Sequence, residues 1–242
     1  MKLPTRLFSS RMKLPTKLFS FLFLVILALS FVSSGKAQQR YRFLPLDEAE
    51  KDASFFTFRK RLIAAVKKRD VEFLLGALAP DVQINFGGDV GIAEFKKVWK
   101  LEQPNSELWP ELLTVLTNGG TFILSETRTV NFCAPYIYSA FPAALDAFEN
   151  QVIFGDNVNL RARPSAEAAL IAKLSYDVVK VNYENSVRRS GRADDYEWLE
   201  VETLDSKKGL VSARFVRSPL DYRACFEKRR GKWKMIFFLA GD

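Results

Sequence analysis

The chain of 242 residues is 48% apolar and 26% charged, a globular composition that leaves room for one large domain or two modest ones and excludes a disordered or fibrous chain. Its net charge of +8 is uneven: six of the 36 Lys/Arg and none of the 28 Asp/Glu fall in residues 1–37, so the rest carries 30 bases against 28 acids, a net +2. A near-neutral body lacks the broad positive surface that phosphate binding needs, which sets nucleic acid aside as a partner. The absence of His removes the usual general base and every imidazole triad.

Residues 1–10 are nearly repeated by residues 12–21, and Met12 is the better initiator. Lys13 and Lys17 precede an apolar run, Leu18 to Val32, broken by Ser20 and Ser30, and Ser33, Ser34 and Gly35 lead to Ala37. A basic region, an apolar region and small residues in that order are the pattern of a secretory signal peptide over residues 1–37, with cleavage after Ala37. The run is short for a permanent span, which normally needs ~20 residues. The expected destination is the periplasm or the exterior, with no stable membrane span after cleavage. In such an oxidising space Cys133 and Cys225 either bridge or stay as two buried thiols. A bridge would close a loop of about ninety residues, worth ~4 kcal/mol in the chain-entropy model.

In the body, Phe55, Phe58, Leu62 and Val66 recur at spacings of three and four, predicting a helix over 47–69 with acids at its start and Lys67, Lys68 and Arg69 at its end. A short helix is expected over 71–78, then a strand through Val82, Ile84 and Phe86 that ends at Gly87-Gly88-Asp89. Ile92, Phe95, Val98 and Trp99 mark a third helix. A fourth starts at a Ser106 cap, carries Leu108, Trp109, Leu112, Leu113 and Leu116, and stops at Asn118-Gly119-Gly120. Residues 121–124, 130–133 and 136–138 read as short strands or extended segments, and 143–148 allows a helical turn. From Gln151 the chain reads as β structure, with 182–196 as a long exposed loop. Tyr222, Ala224 and Phe226 before Arg229-Arg230-Gly231, and the apolar 233–239 after it, form a closing hairpin.

Within 156–217 the order is Asn157-Val158-Asn159-Leu160-Arg161-Ala162-Arg163-Pro164, then Leu170 to Leu174, Val178 to Val181, Trp198-Leu199-Glu200-Val201, and Lys207-Lys208-Gly209-Leu210-Val211 before Phe215-Val216. This stretch resembles a bacterial SH3-type module, the small β-barrel appended to many exported envelope proteins. The resemblance implies a closed barrel filled by Val158, Leu160, Ile171, Leu174, Val179 and Val181, a wall position for Trp198, and a tight hairpin at Gly209. It also implies a role in binding cell-wall peptide or another envelope protein. The family's KKG turn is here Ser175-Tyr176-Asp177, and its aromatic after the glycine is Leu210. Residues 65–99 (AVKKRDVEFLL, then LAPDV, then GDVGI with Phe95 and Trp99) and 222–242 look like the opening and the last two strands of an NTF2-like cone. That likeness implies a barrel inserted into one discontinuous domain, with the cysteines stapling its halves.

The expected fold class is therefore α+β: an N-terminal helical or α+β part (38–150), a small all-β barrel (151–217) and a C-terminal hairpin (218–242) packing back on the first part. Tyr176, Tyr183 and Tyr196 are the candidate ligand-binding residues, since such rings give apolar area with a polar tip. Asp81, Asp89 and Asp221 are the candidate proton-transfer groups, with turn capping as their ordinary role. Gly87 to Gly91 before a helix suits an anion but lacks a phosphate-loop Lys. Arg188, Arg189 and Arg192 form a basic loop offset by Asp194, Asp195 and Glu197, and 218–223 reads as a junction strut. No metal or cofactor is expected, there being no Cys/His cluster. The leading expectation is a non-catalytic, exported binding or scaffolding protein. Its alternatives are a small-substrate NTF2-like enzyme with a carboxylate base, and a purely structural oligomer component.

Overall fold

A computed structural model describes residues 40–125, 128–189 and 195–241. The leader, its cleavage point, Arg192 and Asp194 lie outside these residues. After a 3-10 turn at Ala49–Lys51 comes α1, Ala53–Lys68. It begins six residues later than its periodicity suggests because Asp52 is the residue whose carboxylate accepts the Phe55 N–H (2.9 Å), and it ends where Arg69 turns left-handed (φ 55°). Its buried stripe holds Phe55, Leu62 and Val66 together with Arg59, which pairs with both carboxylate oxygens of Asp47 at 2.9 and 2.6 Å. Asp70 caps α2, Val71–Ala77, in the same way.

Strand β1 is Leu78–Gln83, earlier than the expected Val82 to Phe86, and Phe86 is exposed. Pro80 fits within β1 because β1 is the edge of its sheet, where a missing N–H is tolerated. Helices α3 (Ile92–Val98) and α4 (Leu108–Thr117) follow. Ser106 sits one residue before the formal cap of α4; its hydroxyl accepts the Leu108 N–H and donates to the Trp99 carbonyl. Strands β2 (Thr121–Leu124) and β3 (Val130–Ala134) are as expected, but Tyr136–Ser139 is a helical turn, α5, not a strand. It is held from outside: the Asn118 carbonyl accepts the Tyr136 N–H, and Ser139 covers the free edge of β2 at Thr121.

The second half supplies β4 (Asn150–Ile153), β5 (Val158–Arg161), β6 (Leu170–Leu174), β7 (Val178–Arg188), β8 (Tyr196–Thr203), β9 (Lys208–Ser212), β10 (Val216–Arg217), β11 (Arg223–Arg229) and β12 (Lys232–Leu239). Two sheets result, and the fold is α+β. The first runs β1-β12-β11-β3-β2, so the closing hairpin lies inside a sheet begun by residues 78–134. Only the β1–β12 pairing is parallel. Cys133 on β3 faces Cys225 on β11 across a ladder, with Cα atoms 4.1 Å apart, and the two are bridged. The helices cover one face, where the Phe55 ring meets those of Phe132, Trp233, Phe226 and Phe122 at 4.1, 4.9, 5.6 and 5.8 Å.

The second sheet, β10-β4-β7-β8-β9-β5-β6, curls into a half-barrel around Ile153, Val158, Leu160, Leu174, Val179, Leu199, Val201 and Val211. Closure was expected; instead β4 joins as an additional strand, and β6 and β10 are the two ends of the sheet. Ile171, expected inside, is exposed on edge strand β6, and Trp198 is only half-buried. Gly209 does not make the turn, which falls at Ser206 (φ 65°). It lies in β9, where a Cβ would stand 2.7 Å from the Arg161 carbonyl oxygen. Half of the expected loop 182–196 is strand: β7 and β8 run on as a ribbon to the pair Arg188 and Tyr196. A ribbon solvated on both faces shows no apolar alternation to read.

Residues 40–47 lace the sheets together. Arg40 donates to both carboxylate oxygens of the buried Asp177 (2.7 and 2.5 Å), the Tyr41 carbonyl accepts the Val178 N–H, and Leu46 and Glu48 exchange backbone bonds with Gly120.

Candidate functional site

Tyr183 and Tyr196 come together on the ribbon, their ring centres 5.3 Å apart and tilted by 48°. The position of Tyr183 is set by an irregularity between Asn182 and Val187, where β7 departs from register with β8. Side chains pin this bulge. The Ser186 hydroxyl donates to the Asn182 carbonyl (2.7 Å) and accepts the Glu200 N–H (2.9 Å), and Asn185 donates to the Glu200 carboxylate (2.9 Å). A pinned bulge aims a side chain with little entropy left to lose on binding.

Two neighbours complete the pair. The amide nitrogen of Gln151, a buried residue of β4, donates to the Tyr183 hydroxyl at 2.5 Å. The Arg188 guanidinium lies 5.6 Å from the Tyr196 ring centre, and Arg188 also donates to the Tyr196 hydroxyl at 3.4 Å. A phenol is neutral at physiological pH, and burial raises that of Tyr183 further above its ordinary value. With its oxygen accepting from Gln151, its own proton can go to a ligand carbonyl. The arrangement offers the exposed Tyr183 ring, the half-buried Tyr196 ring, one phenol donor and one guanidinium.

Tyr176 is not part of it. It occupies the β6–β7 turn at φ 55°, where its carbonyl accepts the Phe43 N–H, and it lines a separate cavity of about 360 Å³ with Pro45, Tyr136 and Phe154. Backbone φ above zero at Tyr176 was not legible in a Ser-Tyr-Asp turn, and it directs this ring to the opposite end of β7. Gln151 was missed: a single amide beside an apolar segment carries no signal until its strand neighbours are known.

The carboxylates are dispersed. Asp81 pairs with Arg229 at an exposed edge, which holds its carboxyl below the usual range. Asp89 closes a loop with Asn85, and that loop uses the Gly91 N–H on the Val82 carbonyl. Asp221 accepts the Ser218 N–H at 2.9 Å in the strut before β11. Asp221 is exposed, but desolvation by the protein around its carboxyl raises it, against the opposing pull of Arg217. Arg217 itself pairs with Glu111 of α4 at 2.8 Å, while Arg223 donates to the carbonyls of Leu220 and Gly241. Of the basic loop, Arg189 pairs with Asp195 at 3.4 Å. Among the described residues no cluster of His, Cys, Asp or Glu is arranged to hold a metal ion, and no helix is long and apolar enough to cross a membrane. The chain matches no protein-family model and no curated protein.

Proposed function

We propose that this is an exported, non-catalytic envelope protein whose curled sheet, of bacterial SH3-type descent, binds cell-wall peptide at Tyr183 and Tyr196. The observation that carries the reading is the pinned, half-exposed tyrosine pair flanked by Gln151 and Arg188. Peptide stems present carbonyls for the phenol donor, carboxylates for the guanidinium and aliphatic surface for the rings. Three further features support it. Apart from Ile153 of β4, the core of the curled sheet is formed by aliphatic residues of the segment that resembles the SH3-type module. The disulfide suits an oxidising compartment. The acids that line the groove beside the first sheet's helices, Asp70 and Glu72, are exposed, where an enzyme of the cone type would need a buried carboxylate.

Retention on purified peptidoglycan at low salt tests the reading. The wild-type protein is expected to be retained, and Tyr183→Ala with Tyr196→Ala to pass through with its unfolding free energy lowered by about 1–2 kcal/mol, since Tyr196 also packs against the core. Absence of retention for the wild type removes cell-wall peptide as the partner. Equal retention of the double variant moves the site elsewhere.

A further inference from the structure

A second cavity belongs to the first sheet and shares no residue with the tyrosine pair. It is a groove of about 680 Å³ between α1, α2 and the start of β12, within the size range of small-molecule sites. Phe58, Phe73 and Trp233 form its walls. The Trp233 indole N–H already donates to the Ser54 hydroxyl at 2.9 Å, so what Trp233 offers the groove is apolar. Gly76 forms part of the lining, with no atom within 4 Å of where its Cβ would stand.

The charges around the groove are unbalanced once internal partners are assigned. Asp70 is committed to the Phe73 N–H (2.9 Å) and Lys234 to the Gly76 carbonyl (2.5 Å). The Arg61 guanidinium lies over the Phe73 ring, 5.3 Å from its centre. Among the described residues neither Arg61 nor Lys232 has a carboxylate within ion-pair distance, and Glu72 is the remaining acid in the lining. Two uncommitted cations thus face one uncommitted anion beside an aromatic slot.

We propose that this groove binds a small anionic amphiphile, with a flat apolar body between Phe58, Phe73 and Trp233 and a carboxylate on Arg61 and Lys232. One negative charge from the ligand neutralises the lining, which a neutral body of the same shape cannot do. The site is independent of the cell-wall reading: it stands on another sheet, and either can fail alone.

The test titrates the purified protein with 2-naphthoate and, separately, with uncharged 2-naphthalenemethanol, read by ligand-observed NMR and calorimetry. Naphthoate is expected to bind at least about tenfold more tightly than the alcohol. Arg61→Glu with Lys232→Glu, both at exposed positions, is expected to remove that preference and leave the alcohol unchanged. Gly76→Phe fills the groove from a helix position with room for a side chain and is expected to abolish both. Thr57→Trp, from the facing helix, gives the same readout should Gly76→Phe fail to fold. Tyr183→Ala with Tyr196→Ala is expected to bind naphthoate normally. No binding of naphthoate at millimolar concentration, equal affinity for the two probes, or unchanged binding after the groove is filled overturns the proposal.

Discussion

The two sheets use aromatic side chains in opposite ways. In the first, Phe55 stands at the centre of a ring cluster that includes Phe132, Phe226 and Trp233, all buried. In the second, the cluster inside the curl consists of eight aliphatic residues; Tyr196 and Phe215 pack against it half-buried, Tyr183 is exposed, and Phe43 and Tyr136 form a separate buried cluster with Val152 and Val178. The helical layer accounts for the difference. A sheet covered by helices encloses a slab thick enough for rings, whereas a narrow half-barrel is filled by branched aliphatic chains and holds its rings at the margin. The first sheet therefore puts rings at the centre of its core, and the curl of the second is filled by aliphatic side chains with rings at its margin.

The largest expected effect follows from that division. Phe55→Ala removes a ring with five aromatic neighbours and is expected to lower stability by about 4 kcal/mol, measured by urea unfolding. Leu160→Ala in the second core is expected to cost about 2–3 kcal/mol, because fewer and smaller neighbours lose their contacts. An equal or larger loss at Leu160 would break the contrast.

Next is the bridge. Cys133 and Cys225 are 92 positions apart and join a strand formed before the curled sheet to one formed after it. Replacing both by Ser is expected to cost about 3–4 kcal/mol, chiefly through freedom regained by the unfolded chain. The loss should fall on the first sheet, read as faster amide exchange in β3 and β11 while β7 and β8 keep their protection.

Much of the helical part was legible in the sequence because Phe55, Leu62 and Val66 repeat at helical spacing and Asp70 precedes a short apolar run. Position in a sheet was not legible. Pro80 looks like a strand breaker until β1 is known to be an edge, and Tyr136 to Tyr138 alternates like a strand although Asn118 and Ser139 hold it as a turn. The site was half legible. The composition of 182–196 pointed to Tyr183 and Tyr196, but their meeting depends on a bulge fixed by Ser186 and Asn185, residues whose side chains say nothing until the register of β7 against β8 is set. The groove of Phe58, Phe73 and Trp233 draws on three separate elements and left no local pattern.

A smaller effect tests the entry to the first sheet. The Ser54 hydroxyl and the Phe55 N–H hold the Asp52 carboxyl below the usual carboxylate range. A depressed acid contributes stability that is present above its unfolded value and is lost as pH falls through the folded one. Asp52→Ala is expected to cost about 1 kcal/mol at neutral pH. Its stability should also fall less steeply than the wild type's on acidification, followed by thermal unfolding at a series of pH values.

Asp221, in the strut between the sheets, reverses the sign. Crowding raises its carboxyl, so the folded protein holds that proton more readily than the unfolded chain does. Its contribution is fully present below the ordinary carboxylate range and is lost as pH rises through the raised value. Asp221→Asn keeps an acceptor for the Ser218 N–H and removes the charge. Because the carboxyl still touches solvent, the variant is expected to match or exceed the wild type at neutral pH by no more than about 0.5 kcal/mol, with the difference disappearing in acid. A loss of about 1 kcal/mol or more at neutral pH would mean that the attraction of Arg217 for this carboxylate outweighs its desolvation. The two differently packed sheets would then be held at their junction by an ion pair instead of by turn geometry.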